Sequence, residues 1–292
     1  MSAPQKTDQP TTQQHRHRGD LSSRDVHLSY TRLVRSEWIK FRSIRSTFWC
    51  YAVIAVLTLG LAVLLGSVSE PSGAEQTAVG ANATIVSINT VSVYLTALVV
   101  GVLGVLIITG EYATGQIRST FTADPGRTGV LLAKATVLAV TTFVVSAVAN
   151  WIGVAISTAL QAGKGLEPDL ADPSVWMPIL GASIDVTLLA LLAFGIGLLV
   201  RSSAGGIAIT LGILLVLPVV ISLVAGLANL DWLNDVTKFL PDAAGANLYQ
   251  FDSGAPAPKG LTLNGWSGGG VLLAEVLVLN AFAMIVAKRR DV

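Results

Sequence analysis

The sequence predicts an all-α membrane protein with about six transmembrane helices, preceded by an amphipathic interfacial helix and with both termini cytoplasmic. Of its 292 residues 52% are hydrophobic and only 13% are charged, whereas soluble domains carry charge on about a quarter of their residues. Long apolar segments recur along the chain, and its basic residues fall on one side of them. These three observations together indicate a chain that folds in lipid.

Six apolar segments are long enough to cross a bilayer. A hydrocarbon core about 30 Å thick needs about 20 helical residues, because each residue of a helix rises about 1.5 Å. The predicted spans run approximately from Phe48 to Gly66, Ile85 to Thr109, Ala135 to Leu160, Ile179 to Val200, Ala204 to Leu227 and Val271 to Ala287. An even number of spans places the two termini on the same side.

The basic residues predict the orientation of these spans. With the N-terminus inside, 16 of the 19 lysines and arginines lie on the cytoplasmic side, and only Lys164, Lys238 and Lys259 lie outside. Lysine and arginine near the ends of spans are retained in the cytoplasm during insertion. We therefore expect a multi-pass protein of the inner (plasma) membrane.

The parts outside the spans fall into four segments. Residues 1–27 are polar and lack the apolar core of a signal peptide, so we expect a disordered cytoplasmic tail. Residues 28–47 carry an apolar helical stripe opposite basic side chains, which is typical of a helix in the headgroup plane. The six-helix domain then covers residues 48–292, with a cytoplasmic loop at 110–130 and an extracellular, re-entrant segment at 228–270, for which an ordinary loop is the alternative.

The loop after the second predicted span mixes charged, aromatic and small residues. Glu111 and Arg118 are seven residues apart. If the segment is one helix, this spacing places them two turns apart on the same face, where each could contact a partner or a neighbouring helix of the protein. A solvated turn is the alternative.

Two carboxylates fall within apolar spans. Asp185 lies in the fourth predicted span and Glu275 in the sixth. An acidic side chain at the centre of a bilayer costs about 2.5–3.5 kcal/mol, so each should face protein or water. A proton or substrate role and a hydrated position near the outer ends of the spans are both compatible with this placement.

Sequence motifs for catalysis are absent. The chain has no G-x-x-x-x-G-K-[ST] phosphate loop, no H-E-x-x-H, no G-x-S-x-G and no cysteine cluster. We therefore expect no catalytic residues, no metal site and no cofactor bound by this chain. A net charge of +1 gives no support for binding nucleic acid.

Three local segments occur in a characteristic order. They are Ser36-Glu37-Trp38-Ile39-Lys40-Phe41-Arg42-Ser43 before the first span, Gly110-Glu111-Tyr112-Ala113-Thr114-Gly115-Gln116-Ile117-Arg118 after the second and Leu240-Pro241-Asp242-Ala243-Ala244-Gly245 before the last. In these segments, and in the order of its parts from about Tyr30 onward, the chain resembles the permease subunits of type-2 ABC exporters.

The resemblance implies a transmembrane subunit that exports a substrate. Spans so poor in charge suit a hydrophobic or amphipathic compound better than a small ion. The partners of such a subunit would be a second copy or a related permease and two separate ABC ATPase subunits, which bind the ATP and Mg²⁺. The resemblance assigns contact with the ATPase to two groups of residues. They are Glu111, Tyr112, Gly115 and Arg118, supported by Glu37, Trp38, Lys40 and Arg42.

Two other functions remain open from the sequence. The chain could be a secondary transporter that uses Asp185 or Glu275 to carry a proton, for which inverted repeats and interrupted helices are the expected marks. It could also be a membrane scaffold or sensor that docks a partner without transport. An adjacent ATPase reading frame would favour the exporter over both.

The predicted orientation can be tested by labelling single cysteines. In a Cys50→Ser background, Ser119→Cys should react with a membrane-impermeant maleimide only after the cell is opened, whereas Lys164→Cys should react in intact cells. The reason is that the basic segment around Arg118 is expected to stay in the cytoplasm. Labelling of position 119 in intact cells would overturn the predicted topology.

Overall fold

A computed structural model describes residues 29–71, 73, 77–124, 126–252 and 261–289. The predicted tail at 1–27 lies outside the described residues. Within them the secondary structure is helical. The helices are α1 (Tyr30–Ser43), α2 (Arg45–Val68), α3 (Ala78–Ala113), α4 (Gln116–Ala123), α5 (Thr128–Ala162), α6 (Pro173–Val200), α7 (Ser203–Leu211), α8 (Leu217–Ala228), α9 (Asp231–Thr237), α10 (Pro241–Ala246) and α11 (Gly265–Arg289).

The described residues contain six helices that are long and apolar enough to cross a membrane. These are α2, α3, α5, α6, the continuous α7–α8 segment Ser203–Ala228, and α11. Each contains one of the six predicted spans and extends beyond it by a few residues, because helices continue past the apolar stretch into the polar ends. The all-α membrane fold and the number of spans are confirmed.

Helices α3, α5 and α6 form the interior of the bundle, and α2, α7–α8 and α11 surround them. Among the 18 consecutive residues of α6 that are most apolar, 78% are buried. The corresponding fraction for Ser203–Ala228 is 11%. The apolar side chains of the outer helices therefore face outward, which is the arrangement expected of helices that contact lipid.

Hydrogen bonds between side chains join the interior helices. The Asn89 amide on α3 donates to the Ser157 hydroxyl on α5 over 2.9 Å, and the Asn150 amide on α5 donates to Ser183 on α6 over 3.0 Å. In lipid such bonds contribute about 0.6 kcal/mol each on average. They fix the rotation of α5 between its two neighbours.

Helices α3 and α6 approach each other closely where Gly104 faces Ala190. A Cβ atom added to Gly104 would lie 2.3 Å from the carbonyl oxygen of Ala190. Only a residue without a side chain allows the two backbones to approach this closely. The interior of the bundle therefore depends on a small residue at this position.

The fifth span is one continuous helix whose hydrogen-bond pattern changes at its middle. Residues Gly212–Val216 form a π-helical turn, and the amide of Leu217 bonds to the carbonyl of Gly212, five residues earlier. Pro218, which has no amide hydrogen, follows directly. A proline cannot donate a hydrogen bond, so it would leave a carbonyl oxygen of the preceding turn without a donor in lipid. The wider π-helical turn changes which backbone groups bond to each other at this point.

Part of the connection before α11 folds back onto the bundle. After α9, helix α10 and a 3₁₀ turn at Asn247–Tyr249 pack against α6 and α11. Leu240 and Ala244 are buried there. Neither short helix is long enough to span the membrane.

The predicted interfacial segment 28–47 is divided in the structure. Helix α1 ends at Ser43, Ile44 is extended, and α2 begins at Arg45. The bend therefore lies before Phe48, because the polar Arg45-Ser46-Thr47 sequence already forms the first turn of α2. Placement of α1 in the headgroup plane stays a prediction.

The close contact at Gly104 gives a stability prediction. Gly104→Ala should lower the thermal unfolding midpoint of the detergent-solubilised protein, because overpacking in an interior costs about 1–3 kcal/mol. Gly110→Ala in the same helix is the matched control, since no other heavy atom lies within 4 Å of its added Cβ. Equal midpoints for the two variants would contradict a close contact between α3 and α6.

Candidate functional site

A cluster of charged side chains lies where α1, α3, α4 and α5 meet. Its members are Glu37 and Lys40 of α1, Glu111 of the last turn of α3, Thr120 of α4 and Lys134 of α5. Glu37 is 3% exposed, and Glu111 and Lys134 are each 6% exposed. Charged side chains are rarely this buried unless they are paired.

Lys134 is the central cation of this ion cluster. Its Nζ donates to Glu37 Oε2 in a short hydrogen bond and to Glu111 Oε1 over 2.7 Å. The two acids are 74 residues apart in the sequence, yet they share one ammonium group. Lys134 thereby joins α5 to both α1 and α3.

Lys40 completes the cluster from its partly exposed edge. Its Nζ donates to Glu37 Oε1 over 2.7 Å and lies 3.5 Å from both Glu111 Oε1 and Thr120 Oγ1. Burial by itself lowers the pKa of Lys40, but the hydrogen bond to Glu37 and the charges of the two acids outweigh it and raise the pKa above its usual value. Lys40 is therefore charged at neutral pH.

The ion cluster is balanced in charge, with two acids and two lysines. A balanced arrangement with several hydrogen bonds can repay much of the cost of removing the charges from water, but a cluster that loses one member leaves a charge without compensation. The cluster therefore favours one relative position of α1, α3 and α5.

Helix α4 is attached to the cluster by its own inner face. Ile117 and Phe121 are buried in the core beside Phe41, and the Thr120 hydroxyl lies 3.5 Å from Glu111 Oε2. Gly115 between α3 and α4 has a φ of 72°, a conformation that glycine adopts without strain. The chain can therefore turn sharply after α3 and lay α4 back against the bundle.

The outer face of α4 is exposed and polar. It consists of the side chains of Gln116, Arg118, Ser119 and Thr122. We call these four residues the outer face of α4. The opposite side of α4 packs against the core and the ion cluster.

The turn between α4 and α5 is fixed by Asp124 and Arg127. The Asp124 carboxylate accepts the amide hydrogen of Val130 over 3.0 Å. The Arg127 guanidinium lies over the ring of Phe121, 5.0 Å from its centroid, and donates to the carbonyl oxygen of Ala287 over 3.0 Å. The C-terminal end of α11 therefore lies at the same end of the bundle as α4.

A second contact joins the end of α3 to the turn between α6 and α7. The Arg201 guanidinium lies 5.2 Å from the ring centroid of Tyr112, and Ser203 Oγ donates to Thr109 Oγ1 over 2.8 Å. Tyr112 therefore packs within this chain. The contact of Tyr112 with an ATPase stays a prediction.

Trp38 and Arg42 lie on the exposed side of α1. Trp38 is 42% exposed and stacks on Phe41 with a ring separation of 6.3 Å. Arg42 is exposed in the last turn of α1. Among the eight residues predicted to contact an ATPase, the structure thus places Trp38, Arg42, Gly115 and Arg118 on the surface.

The spacing argument for Glu111 and Arg118 is wrong. The two residues do not share a helical face, because α3 ends at Ala113 and α4 begins at Gln116 after the turn at Gly115. Glu111 points into the ion cluster and Arg118 points outward. The assumption of one continuous helix fails at the glycine.

A cavity of about 480 Å³ lies beside the ion cluster. Glu37, Lys40, Glu111 and Lys134 contribute its polar wall, and side chains such as Phe41 of α1 contribute apolar surface. The cavity belongs to the same junction of helices.

The two predicted intramembrane acids lie elsewhere, around α10 and α11. Asp185 is 1% exposed, and its Oδ1 has no hydrogen-bond partner. It lies against the backbone of α10, where a Cβ on Gly245 would come within 1.9 Å of that oxygen. Glu275 of α11 is partly buried, and its Oε2 also lacks a partner. The structure does not join either acid to the ion cluster.

In the sequence, Lys134 is one of the 16 basic residues predicted to be cytoplasmic. Its position near the start of an apolar helix was a signal, because a lysine followed by more than twenty mostly apolar residues must be paired or reach the headgroups. Its partners could not be chosen, since Glu37 and Glu111 are distant in sequence. No group of acids, histidines and cysteines among the described residues could hold a metal ion.

Residues 33–229 match the family described as ABC-2 family transporter protein. This range covers more than half of the chain and includes the ion cluster, the outer face of α4 and the first five spans. The chain therefore belongs to the ABC-2 transporter family and is a multi-pass membrane subunit of an ABC transporter. No curated protein shows significant similarity to it.

The ion cluster predicts a large effect of one substitution. Lys134→Met should lower the free energy of unfolding by about 3–5 kcal/mol, because it leaves two buried acids with a single cation. Lys288→Met, which removes an exposed lysine of α11, should change it by less than about 0.5 kcal/mol. Denaturation in detergent followed by tryptophan fluorescence measures both.

A compensating variant makes the test specific. Adding Glu111→Gln to Lys134→Met restores the balance of one acid and one lysine, so part of the lost stability should return. Strictly additive losses in the double variant would contradict an interaction between the two side chains.

Proposed function

We propose that this chain is the transmembrane subunit of an ATP-driven exporter and that separate ABC ATPase subunits supply the hydrolysis. Membrane subunits of the ABC-2 family work with ATPase partners in general. The absence of a phosphate-binding loop in the sequence is consistent with this division of labour. ATP and Mg²⁺ would bind to the partner.

The proposed ATPase contact is the outer face of α4 together with the exposed side of α1. Arg118 projects from α4, and Trp38 and Arg42 project from α1. Arginine and tryptophan are enriched among residues that dominate binding energy at protein interfaces. Glu37, Lys40 and Glu111, which are turned inward, would act on this contact as positioning residues.

The observation that carries the proposal is the ion cluster beneath this surface. Lys134 bonds to both Glu37 and Glu111, and Thr120 of α4 lies 3.5 Å from Glu111 Oε2. A force applied to α1 or α4 would therefore be passed to α3 and α5. Both of those helices lie in the interior of the bundle. Closure of the ATPases could thereby change the packing of the helices that enclose the substrate path.

The second permease of the assembly would cover part of the outer helices. We propose either another copy of this chain or a related permease, with the substrate path between the two. The six predicted spans contain only two charged residues, Asp185 and Glu275, which suits a hydrophobic or amphipathic cargo in preference to a small ion. The plasma membrane is the proposed location.

Proton-coupled transport is the alternative that one observation favours. Asp185 is buried with an oxygen that lacks a partner, as expected of a carboxyl group that holds a proton. Transport by the purified chain driven by a pH gradient, with no ATPase present, would favour this alternative over the exporter.

The proposed contact predicts the effect of reversing one charge. Arg118→Glu should reduce copurification with the ATPase partner and ATP-dependent efflux by about tenfold or more, because unfavourable charge placement at an interface costs several kcal/mol. Efflux from inverted vesicles and a pull-down of the assembled complex measure the two effects.

Lys288→Glu is the matched control, since it reverses an exposed charge in the last turn of α11, at the same end of the bundle. This variant should assemble and transport normally. Thermal unfolding of both variants should match the parent, because neither side chain is buried. Undiminished efflux in Arg118→Glu would remove the outer face of α4 from the mechanism.

A further inference from the structure

One side of α2 joins a basic end to a long apolar surface. Arg45, Trp49 and Val56 are exposed and follow one another at spacings of four and seven residues, which places them on the same side of the helix. The side chains of Trp49 and Val56 are 66% and 70% exposed. The described helices therefore leave this side uncovered, and we call these three residues the outer face of α2.

The outer face of α2 has the length of one half of a bilayer. Val56 follows Arg45 by 11 residues, which corresponds to about 16 Å along a helix. Half of a hydrocarbon core about 30 Å thick is about 15 Å. The order of the side chains is a cation, then a tryptophan, which is enriched at membrane interfaces, then aliphatic surface. This is the order of groups along a phospholipid, from its phosphate to its acyl chains.

The end of α2 that carries Arg45 is strongly basic. Of the 14 residues from 32 to 45, five are lysine or arginine, and Glu37 is the one acid. Glu37 is buried and accepts hydrogen bonds from Lys40 and Lys134 in the ion cluster. Arg45 forms no ion pair with another described residue. A group of basic residues immediately before a membrane span is typical of proteins that bind anionic lipid headgroups.

A second copy of this chain offers little negative charge to Arg45. Besides Glu37, the acids described at this end of the bundle are Glu111 and Asp124. Glu111 is buried in the ion cluster, and the Asp124 carboxylate accepts the amide hydrogens of Gly126 and Val130. A phosphate group supplies the missing charge, and the planar guanidinium of arginine matches its geometry. Complementary charge therefore favours a lipid over a second copy on this face.

We propose that the outer face of α2 binds an anionic phospholipid, with Arg45 at the phosphate, Trp49 at the interface and Val56 beside an acyl chain. The inference goes beyond the proposed export function and does not depend on it. Arg45 is not among the residues proposed to contact the ATPase, so mutation can separate the two contacts. The predicted orientation places this lipid in the cytoplasmic leaflet, which is the anionic leaflet of a plasma membrane.

Quenching of Trp49 fluorescence by brominated lipids measures which lipid contacts this face. The full chain is used in a variant that keeps Trp49 and carries phenylalanine at the other five tryptophans. It is reconstituted into bilayers with equal amounts of phosphatidylglycerol and phosphatidylcholine. One of the two lipids at a time carries bromine on its acyl chains, and the ratio of the two quenching efficiencies gives the preference for the anionic lipid.

Trp49 should show a preference of about fivefold for phosphatidylglycerol, and Arg45→Gln should lower the ratio to about one. Arg45→Lys keeps the charge and should keep most of the preference. Arg118→Gln is the matched control, because it removes an exposed charge from the outer face of α4 at the same end of the bundle, and it should leave the ratio unchanged.

A second variant keeps Trp266 as its one tryptophan. Trp266 is 78% exposed near the start of α11, at the end opposite to the ion cluster. Its immediate neighbours in the sequence, Gly265 and Ser267, are uncharged. The two brominated lipids should therefore quench Trp266 equally.

Native mass spectrometry gives a second measurement that needs no tryptophan replacement. The unaltered chain, released from a mixture of the two lipids, should retain more bound phosphatidylglycerol than its Arg45→Gln variant. The thermal unfolding midpoint in detergent confirms that each variant is folded.

Four results would overturn the inference. The first is equal quenching of Trp49 by the two lipids before any change at Arg45, and the second is an unchanged preference in Arg45→Gln. The third is an equal loss in Arg118→Gln, which would assign the preference to net charge instead of this face. The fourth is no quenching of Trp49 by either lipid, which would show that protein covers the outer face of α2.

Discussion

The pairing of Lys134 with Glu37 and Glu111 is the constraint that organises one end of this bundle. A lysine near the start of a membrane helix and two buried acids are each costly alone, so the three are stable only when α1, α3 and α5 bring them together. Packing of Ile117 and Phe121 then attaches α4 to the same unit. The exposed residues of α1 and α4 therefore belong to helices whose opposite sides are packed against the bundle.

The two ends of the bundle are held by different contacts. The end at α4 holds the ion cluster and the contacts of Arg127 and Arg201 with neighbouring helices. The fifth span widens into a π-helical turn near its middle, and α10 packs against α6 and α11 beside Asp185. Asp185 and Glu275 each have one carboxylate oxygen without a hydrogen-bond partner.

The residues predicted to contact an ATPase differ in burial. Trp38, Arg42 and Arg118 are exposed, whereas Glu37 and Glu111 are buried and join helices through Lys134. Exposed and buried residues stand side by side in the same short motifs. Membership of a motif alone could therefore not distinguish them.

The amino-acid sequence by itself determined the class of fold and the six spans, because the length and hydropathy of a span are local properties. The tertiary structure decided which helices form the interior, the partners of Lys134, and the opposite directions of Glu111 and Arg118. Those outcomes depend on contacts between residues far apart in the chain and on the left-handed backbone conformation of Gly115. The periodicity of apolar residues in the sequence carries no information on either.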